Sequence, residues 1–240
     1  MMEKLLNELV KRLQETYDED LQSVVLYGSA ASGDFQEKFS DLNVLCILRV
    51  VGVPELRKAE KLVEWWVKER QRAPLILSVE EAANSHDAFP IEFLDMQQNH
   101  RRLFGKDLLS GIEVSRRQHR QQVEHELRTG LLRLRERYLT VQRNEKEVVE
   151  LMARSLATFA TLARHTLILS KEMDVPIRKR EIVEAAAKHF HLHPLPFLTV
   201  LEIREGTQTL SGEQVHSLFA SYLEQITRLV AVVDRLESSS

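Results

Sequence analysis

Residues 26–48 read LYGSAASGDFQEKFSDLNVLCIL. An apolar run stops at Gly28-Ser29, a polar stretch follows, and the chain turns apolar again directly after Ser40-Asp41-Leu42-Asn43. The first run, LQSVVLYG over residues 21–28, is short, β-branched and closed by glycine, which predicts a buried strand ending in a sharp turn. A second strand is predicted from Leu42 to Val50. After the turn Ser29 supplies a hydroxyl and an N–H, and AASG is small enough to start a short helix whose open amides suit an anion. Asp41 and Asn43 stand two positions apart, so both side chains project from one face of the second strand.

Working outward, Leu5, Leu6, Leu9, Val10 and Leu13 recur at helical spacing ahead of the first strand. Pro54 opens a helix predicted to run to about Arg70, with Leu62, Val63, Trp66 and Trp65 as its apolar side, and Pro74 precedes a third strand, PLILSV. Beyond the polar segment EEAANSHDAF, the run PIEFLDMQ predicts a fourth strand. On such a strand Glu92 shares a face with Leu94 and Met96 while Asp95 points the other way, and pairing would bring Glu92 beside Asp41 and Asn43. Helices between strands imply a sheet with helices packed on it.

The texture changes around Gly105 to Gly111. From Glu113 onward there is helical periodicity and no strand pattern, over about 113–141, 145–171, 178–190, 195–204 and 212–237. Asn144, Pro176, Pro194 and the SGE at 211–213 punctuate these segments, and Ser211 with Gln214 resembles a capping box. The expectation is a mixed α/β (α+β) domain over residues 1–108 and an all-α helical bundle of four or five helices over residues 109–240.

An anion-binding turn beside two or three carboxylates on adjacent strands is what magnesium-assisted nucleotidyl transfer requires. The carboxylates hold hard cations, the cations bridge triphosphate oxygens, and the turn holds the leaving pyrophosphate. The stretch from Tyr27 resembles the nucleotidyltransferase superfamily that includes DNA polymerase β, the aminoglycoside nucleotidyltransferases and the minimal nucleotidyltransferases of bacteria. Tyr27, Gly28, Ser29, Ala31, Gly33, Ser40, Asp41 and the run from Val44 match the family pattern, and the resemblance covers residues 1 to about 108. The helical remainder is similar in layout to the C-terminal domains of aminoglycoside-type members and to the helical HEPN partners of the minimal enzymes.

The resemblance implies a nucleotidyltransferase fold with a small mixed sheet, followed by the helical bundle, and a reaction that moves a nucleotide from an NTP such as ATP to an acceptor. Gly28, Ser29 and Ser40 would bind the nucleotide. Asp41, Asn43 and Glu92 would hold Mg²⁺ or Mn²⁺, and Asp41 and Glu92 would be the catalytic residues, Glu92 serving as base toward the acceptor. The acceptor would be a small molecule or a protein hydroxyl, and the helical domain would choose it.

Two positions depart from the family. Many bacterial members carry arginine where Ser32 stands, and the second metal-binding aspartate is here Asn43. An amide oxygen still ligates a hard cation but brings no charge. A unit charge at about 4 Å is worth roughly 4 kcal/mol at an effective dielectric near 20, about a thousandfold in affinity. Asn43 therefore favours an alternative, a catalytically degenerate member that binds nucleotide or acts as a regulatory or antitoxin-like partner.

Composition narrows the partners. The 33 basic and 36 acidic residues are well mixed and leave a net charge of −3, so no global field draws in nucleic acid or an anionic membrane. The single cysteine, Cys46, lies in an apolar run and excludes a disulfide framework. The N-terminal stretch reads as an amphipathic helix rather than a signal peptide, and no stretch approaches the roughly 20 apolar residues of a membrane span. The expectation is a soluble, cytoplasmic protein whose partners are an NTP, the acceptor and a second copy of itself in a homo-oligomer, with neither membrane nor nucleic acid.

Other patterns carry less. His189, His191 and His193 alternate, which suits ligands on a strand, yet they sit at a helix end running into Pro194, where alternate residues do not share a face. Arg120 and His125 have the Arg-x4-His spacing of HEPN ribonucleases, a match that a chain rich in both residues makes by chance. The run RTGLLRLRERYLTVQR interleaves arginine and leucine and reads as a helix with an apolar seam and a solvated face.

Overall fold

A computed structural model describes residues 2–32, 42–170 and 174–236. The chain divides into two compact units, Met1–Ser115 and Arg116–Ser240.

The first unit runs α1 (Met2–Tyr17), β1 (Leu21–Tyr27), α2 (Ser29–Ser32), β2 (Asn43–Leu48), α3 (Val53–Lys58), α4 (Glu60–Lys68), β3 (Leu75–Ser78), α5 (Val79–Asn84), α6 (Pro90–Gln98) and β4 (His100–Gly105). The sheet order is β3-β2-β1-β4. β1 is antiparallel to both its neighbours, whereas β2 and β3 are parallel. The sheet is therefore mixed.

β1 and β2 read as almost continuous apolar runs because both of their faces are covered. Alternation sends Val24, Leu26, Val44, Cys46 and Leu48 to one face, where they meet Leu6, Leu9 and Leu13 of α1 and Leu62 and Trp66 of α4. Val25, Leu45 and Ile47 go to the other, against Ala82 of α5, Phe93 and Met96 of α6 and Leu109. Each buried leucine contributes on the order of 1.5–3 kcal/mol, so a one-residue slip of β2 would exchange both faces and forfeit both sets of contacts. Trp66 is fully buried, and its indole N–H still finds an acceptor, the Arg72 carbonyl at 2.7 Å.

Three sequence expectations change here. The run PIEFLDMQ is not the fourth strand: it is helix α6, and the strand is the following segment, His100–Gly105. Pro90 stands in the first turn, where its missing N–H costs nothing, and Glu92 and the leucine, methionine and glutamines after it are helix formers. Ile91, Phe93 and Met96 are buried on this helix, a pattern that an eight-residue run shares with a strand. Second, the helix predicted from Pro54 to Arg70 is two helices, α3 and α4, meeting at Ala59. Third, the polar segment after β3 contains helix α5, opened by a capping box in which Ser78 Oγ accepts from the Glu81 N–H and Glu81 accepts from the Ser78 N–H.

The second unit is α7 (Arg116–Val141), α8 (Glu145–Leu169), α9 (Lys179–Phe190), α10 (Leu195–Glu205) and α11 (Glu213–Arg235). α8 is the central helix, packed by α7, α9, α10 and α11. Its buried residues run all round, from Val148, Met152 and Leu156 to Phe159, Leu162 and Leu167, as a helix enclosed by others requires. Asn144 caps it by accepting from the Lys146 N–H. Buried polar groups are paired: His119 Nε2 lies 2.8 Å from His165 Nδ1, and the Tyr222 and Ser155 hydroxyls are 3.1 Å apart. His189, His191 and His193 fall respectively in the last turn of α9, at its left-handed C-terminal residue and in the following loop, where the His193 N–H donates to Gln225 Oε1. Among the described residues no helix is long and apolar enough to cross a membrane.

Candidate functional site

The candidate site lies at the end of the sheet where β1 finishes and β2 and β4 begin. Gly28 leaves β1 with φ +76, a left-handed conformation that a side chain disfavours. Its N–H donates to the Asn99 carbonyl at 3.2 Å, and its carbonyl accepts from the Ala31 N–H at 2.9 Å. These two amides are thus committed to holding the turn, and an anion would have to use others at the start of α2. A β-carbon added to Gly28 would stand 3.0 Å from Asn43 Nδ2, so the amide of Asn43 packs on the glycine.

Asn43 is the first residue of β2 and pairs with Tyr27, the last of β1. Tyr27 also pairs with His100, the first of β4. Directly opposed residues share a face, so Asn43, Tyr27 and His100 form a row of polar side chains across three strands. That face is the one covered by α5 and α6, where Tyr27 packs against the Val25, Phe93 and Met96 cluster. Asn43 is also held through its neighbour, because the Leu42 N–H donates to Gln71 Oε1 at 2.9 Å.

Glu92 reaches this row by a different route from the one its sequence suggests. It sits in the first turn of α6, where its negative charge complements the helix N-terminus. From there it acts on Tyr27, whose phenol pKa is raised first by burial and then by the charge of Glu92. The structure therefore carries Glu92 on helix α6, which packs through Phe93 and Met96 on the sheet face that includes Tyr27. β3, the other neighbour of β2, is Leu75-Ile76-Leu77-Ser78 and has no acidic residue to offer.

Of the other sequence candidates, Ser40 and Asp41 lie outside the described residues, and of Ser29 only the backbone, at the start of α2, lies within them. Hard cations take oxygen ligands, and the Asn43 amide and Glu92 carboxylate are of that kind. Among the described residues no three His, Cys, Asp or Glu side chains gather to hold an ion. The donor set thus fits a hard cation in kind, with Asn43 one charge short of a two-aspartate strand.

Sequence reading missed His100 and its neighbours. His100 Nδ1 is 3.2 Å from the Gln97 carbonyl. Gln97 in turn donates through Nε2 to the Leu109 and Ile112 carbonyls, at 2.9 and 2.6 Å, tying the end of α6 to the loop after β4. In that loop the Asp107 carboxyl is held below the ordinary range, first by the Leu109 N–H, then by that of Ser110 and by the charge of His100. The signal that would have found His100 is recognition of HRRLFG as a strand, and its two arginines obscure that.

Residues 6–96 match the family model of the nucleotidyltransferase domain. Among solved structures, the chain is similar to the spectinomycin adenyltransferase of Enterococcus faecialis, solved with ATP and spectinomycin, with a TM-score of 0.61 and 15% identity over 93% of this chain and 98% of that one. At that identity the likeness is one of fold. No curated protein matches the chain. Residues 6–96 of the N-terminal unit are thus similar to a nucleotidyltransferase domain, and the chain continues into a C-terminal helical domain.

Proposed function

We propose that the protein transfers a nucleotide from an NTP to a hydroxyl of a small molecule or a protein, using Mg²⁺ or Mn²⁺. The observation that carries the reading is the packing of Asn43 on the left-handed turn at Gly28, which sets the head of β2 against a turn suited to an anion. In this reading Gly28, Ser29 and Ser40 bind the triphosphate, and Asp41, Asn43 and Glu92 hold the cation. Asp41 and Glu92 are the catalytic carboxylates. A bound cation supplies neutralising charge to the phosphate oxygens as pyrophosphate departs. The similarity to an adenyltransferase solved with ATP and spectinomycin supports a small-molecule acceptor and ATP as donor.

A second reading is favoured by Asn43 itself: the site binds nucleotide without transferring it, in a regulatory or antitoxin-like role. The two are separated by incubating α-labelled ATP, GTP, CTP or UTP with Mg²⁺ or Mn²⁺ and wild type, Asp41→Ala or Asn43→Asp. Transfer or pyrophosphate release by wild type, lost in Asp41→Ala, supports the enzyme. An inert wild type with activity gained in Asn43→Asp supports the second reading, and no NTP binding by any of the three removes both.

A further inference from the structure

We propose that the outer face of α3 and α4 is a dimer interface whose occupant is a second copy of this chain. The inner side of this helix pair lies on the sheet through Ala59, Leu62 and Trp66, all buried. The pair carries more apolar residues than the sheet covers. Val53, Leu56 and Val67 are 63%, 51% and 52% exposed, and together with Val63 they line a groove of about 1100 Å³. Scattered surface valines need no explanation, but four apolar residues lining one groove mark a surface that another body covers.

The charges of the groove identify that body. Arg57, Glu60, Glu64 and Lys68 line it beside the apolar residues, two of each sign, and all four are exposed. Among the described residues none of these four side chains makes a hydrogen bond or an ion pair, whereas their neighbour Lys58 pairs with Glu55 at 3.9 Å. Glu64 and Lys68 stand at the i,i+4 spacing that favours a pair along one helix, and still do not form it. A strongly basic or strongly acidic partner would leave half of these charges facing their own sign. A two-fold dimer instead requires a patch that is its own complement, and two acids with two bases around an apolar centre meet that requirement. An antiparallel approach sets the bases of one copy against the acids of the other.

Such a dimer does not cover the face of the sheet that carries the candidate site. α4 packs with Val24, Leu26 and Val44 on one face, whereas Tyr27 lies on the other with Phe93 and Met96. The interface does brace the head of β2 from behind. Gln71, just beyond α4, donates its backbone N–H to the Trp66 carbonyl at 3.3 Å, and its side chain accepts from the Leu42 N–H beside Asn43.

The test is sedimentation of the whole protein from about 1 to about 200 µM, a range over which mass action draws out even a weak dimer. The expected species at the upper end has twice the 27.8 kDa of one chain. Leu56→Glu, at an exposed position, is expected to raise the dissociation constant at least about tenfold with an unchanged far-UV spectrum. The double variants Glu60→Lys/Glu64→Lys and Arg57→Glu/Lys68→Glu make the groove all basic and all acidic respectively. Each is expected to be monomeric alone, and the two to pair when mixed in equal amounts. A wild type that stays monomeric across the range overturns the proposal. So does a dimer that Leu56→Glu and both charge variants leave within about threefold of wild type, or a pair of monomeric charge variants that fail to associate on mixing.

Discussion

The amide of Asn43 rests on the α-carbon of Gly28, so closely that a β-carbon on the glycine would stand 3.0 Å from Asn43 Nδ2. This contact joins the two parts of the site, the turn that suits an anion and the strand that would bring oxygen ligands, without any intervening side chain. It also makes the backbone of one residue answerable for the position of the other.

Gly28→Ala tests that relationship. The left-handed φ of +76 costs an alanine about 1–2 kcal/mol, and the new methyl group must push the Asn43 amide aside. The expected outcome in urea unfolding is a loss of that size, accompanied by weaker binding of an ATP analogue. A variant as stable and as tight-binding as wild type would separate the turn from Asn43.

Gly105→Ala is expected to be the more damaging substitution although it lies at the far end of β4. At φ +78 its β-carbon would come 2.0 Å from the Gln22 carbonyl oxygen, a backbone atom that cannot swing away. We expect a loss of roughly 3 kcal/mol or more, or failure to fold, read from expression and thermal unfolding.

Gln71→Ala removes the acceptor of the Leu42 N–H at 2.9 Å, one residue before Asn43. The expected cost is about 1 kcal/mol, with faster amide exchange at the head of β2 and no change in the second unit's helices. Unchanged exchange at Leu42 would show that the head of β2 needs no such anchor.

Alkaline pH should loosen the first unit. Burial raises the Cys46 thiol pKa from 9.0 to about 12, and burial, then Cys46 and Glu55, raise Tyr17 from 10.0 to about 12. Both groups are neutral when protonated, so the unfolded chain gives up these protons at lower pH than the folded one. The stability they confer is intact below about pH 9 and declines as pH rises from 9 toward 12, by up to about 1.4 kcal/mol per unit for each group. Urea midpoints at pH 7.5 and 10.5 check the sign. Native Cys46 should also resist thiol reagents at pH 8 and react only on unfolding.

How far the sequence disclosed this molecule follows from where one signal ruled and where two competed. LQSVVLYG and the run to Leu48 have no helical alternative, because β-branched residues are consecutive and glycine ends the first. The helices of the second unit were legible from long 3.6-residue periods, and their ends from Asn144 and Pro194. PIEFLDMQ fitted both periods over eight residues, and only the packing of Phe93 and Met96 on the sheet decides it for helix. HRRLFG hid as a strand because an edge strand tolerates charge: Arg101 points to the α1 face and pairs with Glu3 at 2.8 Å. α5 was recoverable, since Ser78 and Glu81 have capping-box spacing in the sequence itself. Among the candidate residues, the turn at Gly28 and the place of Asn43 at the head of β2 were legible from local pattern, whereas the elements that carry Glu92 and His100 depend on that helix-or-strand choice.

The hydrogen bond from the Gly28 N–H to the Asn99 carbonyl bears on what counts as the smallest transplantable piece of this protein. The stretch that matches the family model ends at residue 96, three residues short of that acceptor and before any of β4. A fragment cut there would expose the whole outer edge of β1 to pairing with other chains, and the turn at Gly28 would lose the strut that sets its pitch. The N-terminal module, as an object that can be moved or expressed alone, therefore extends at least through Gly105, and its boundary is drawn by the sheet rather than by the motif.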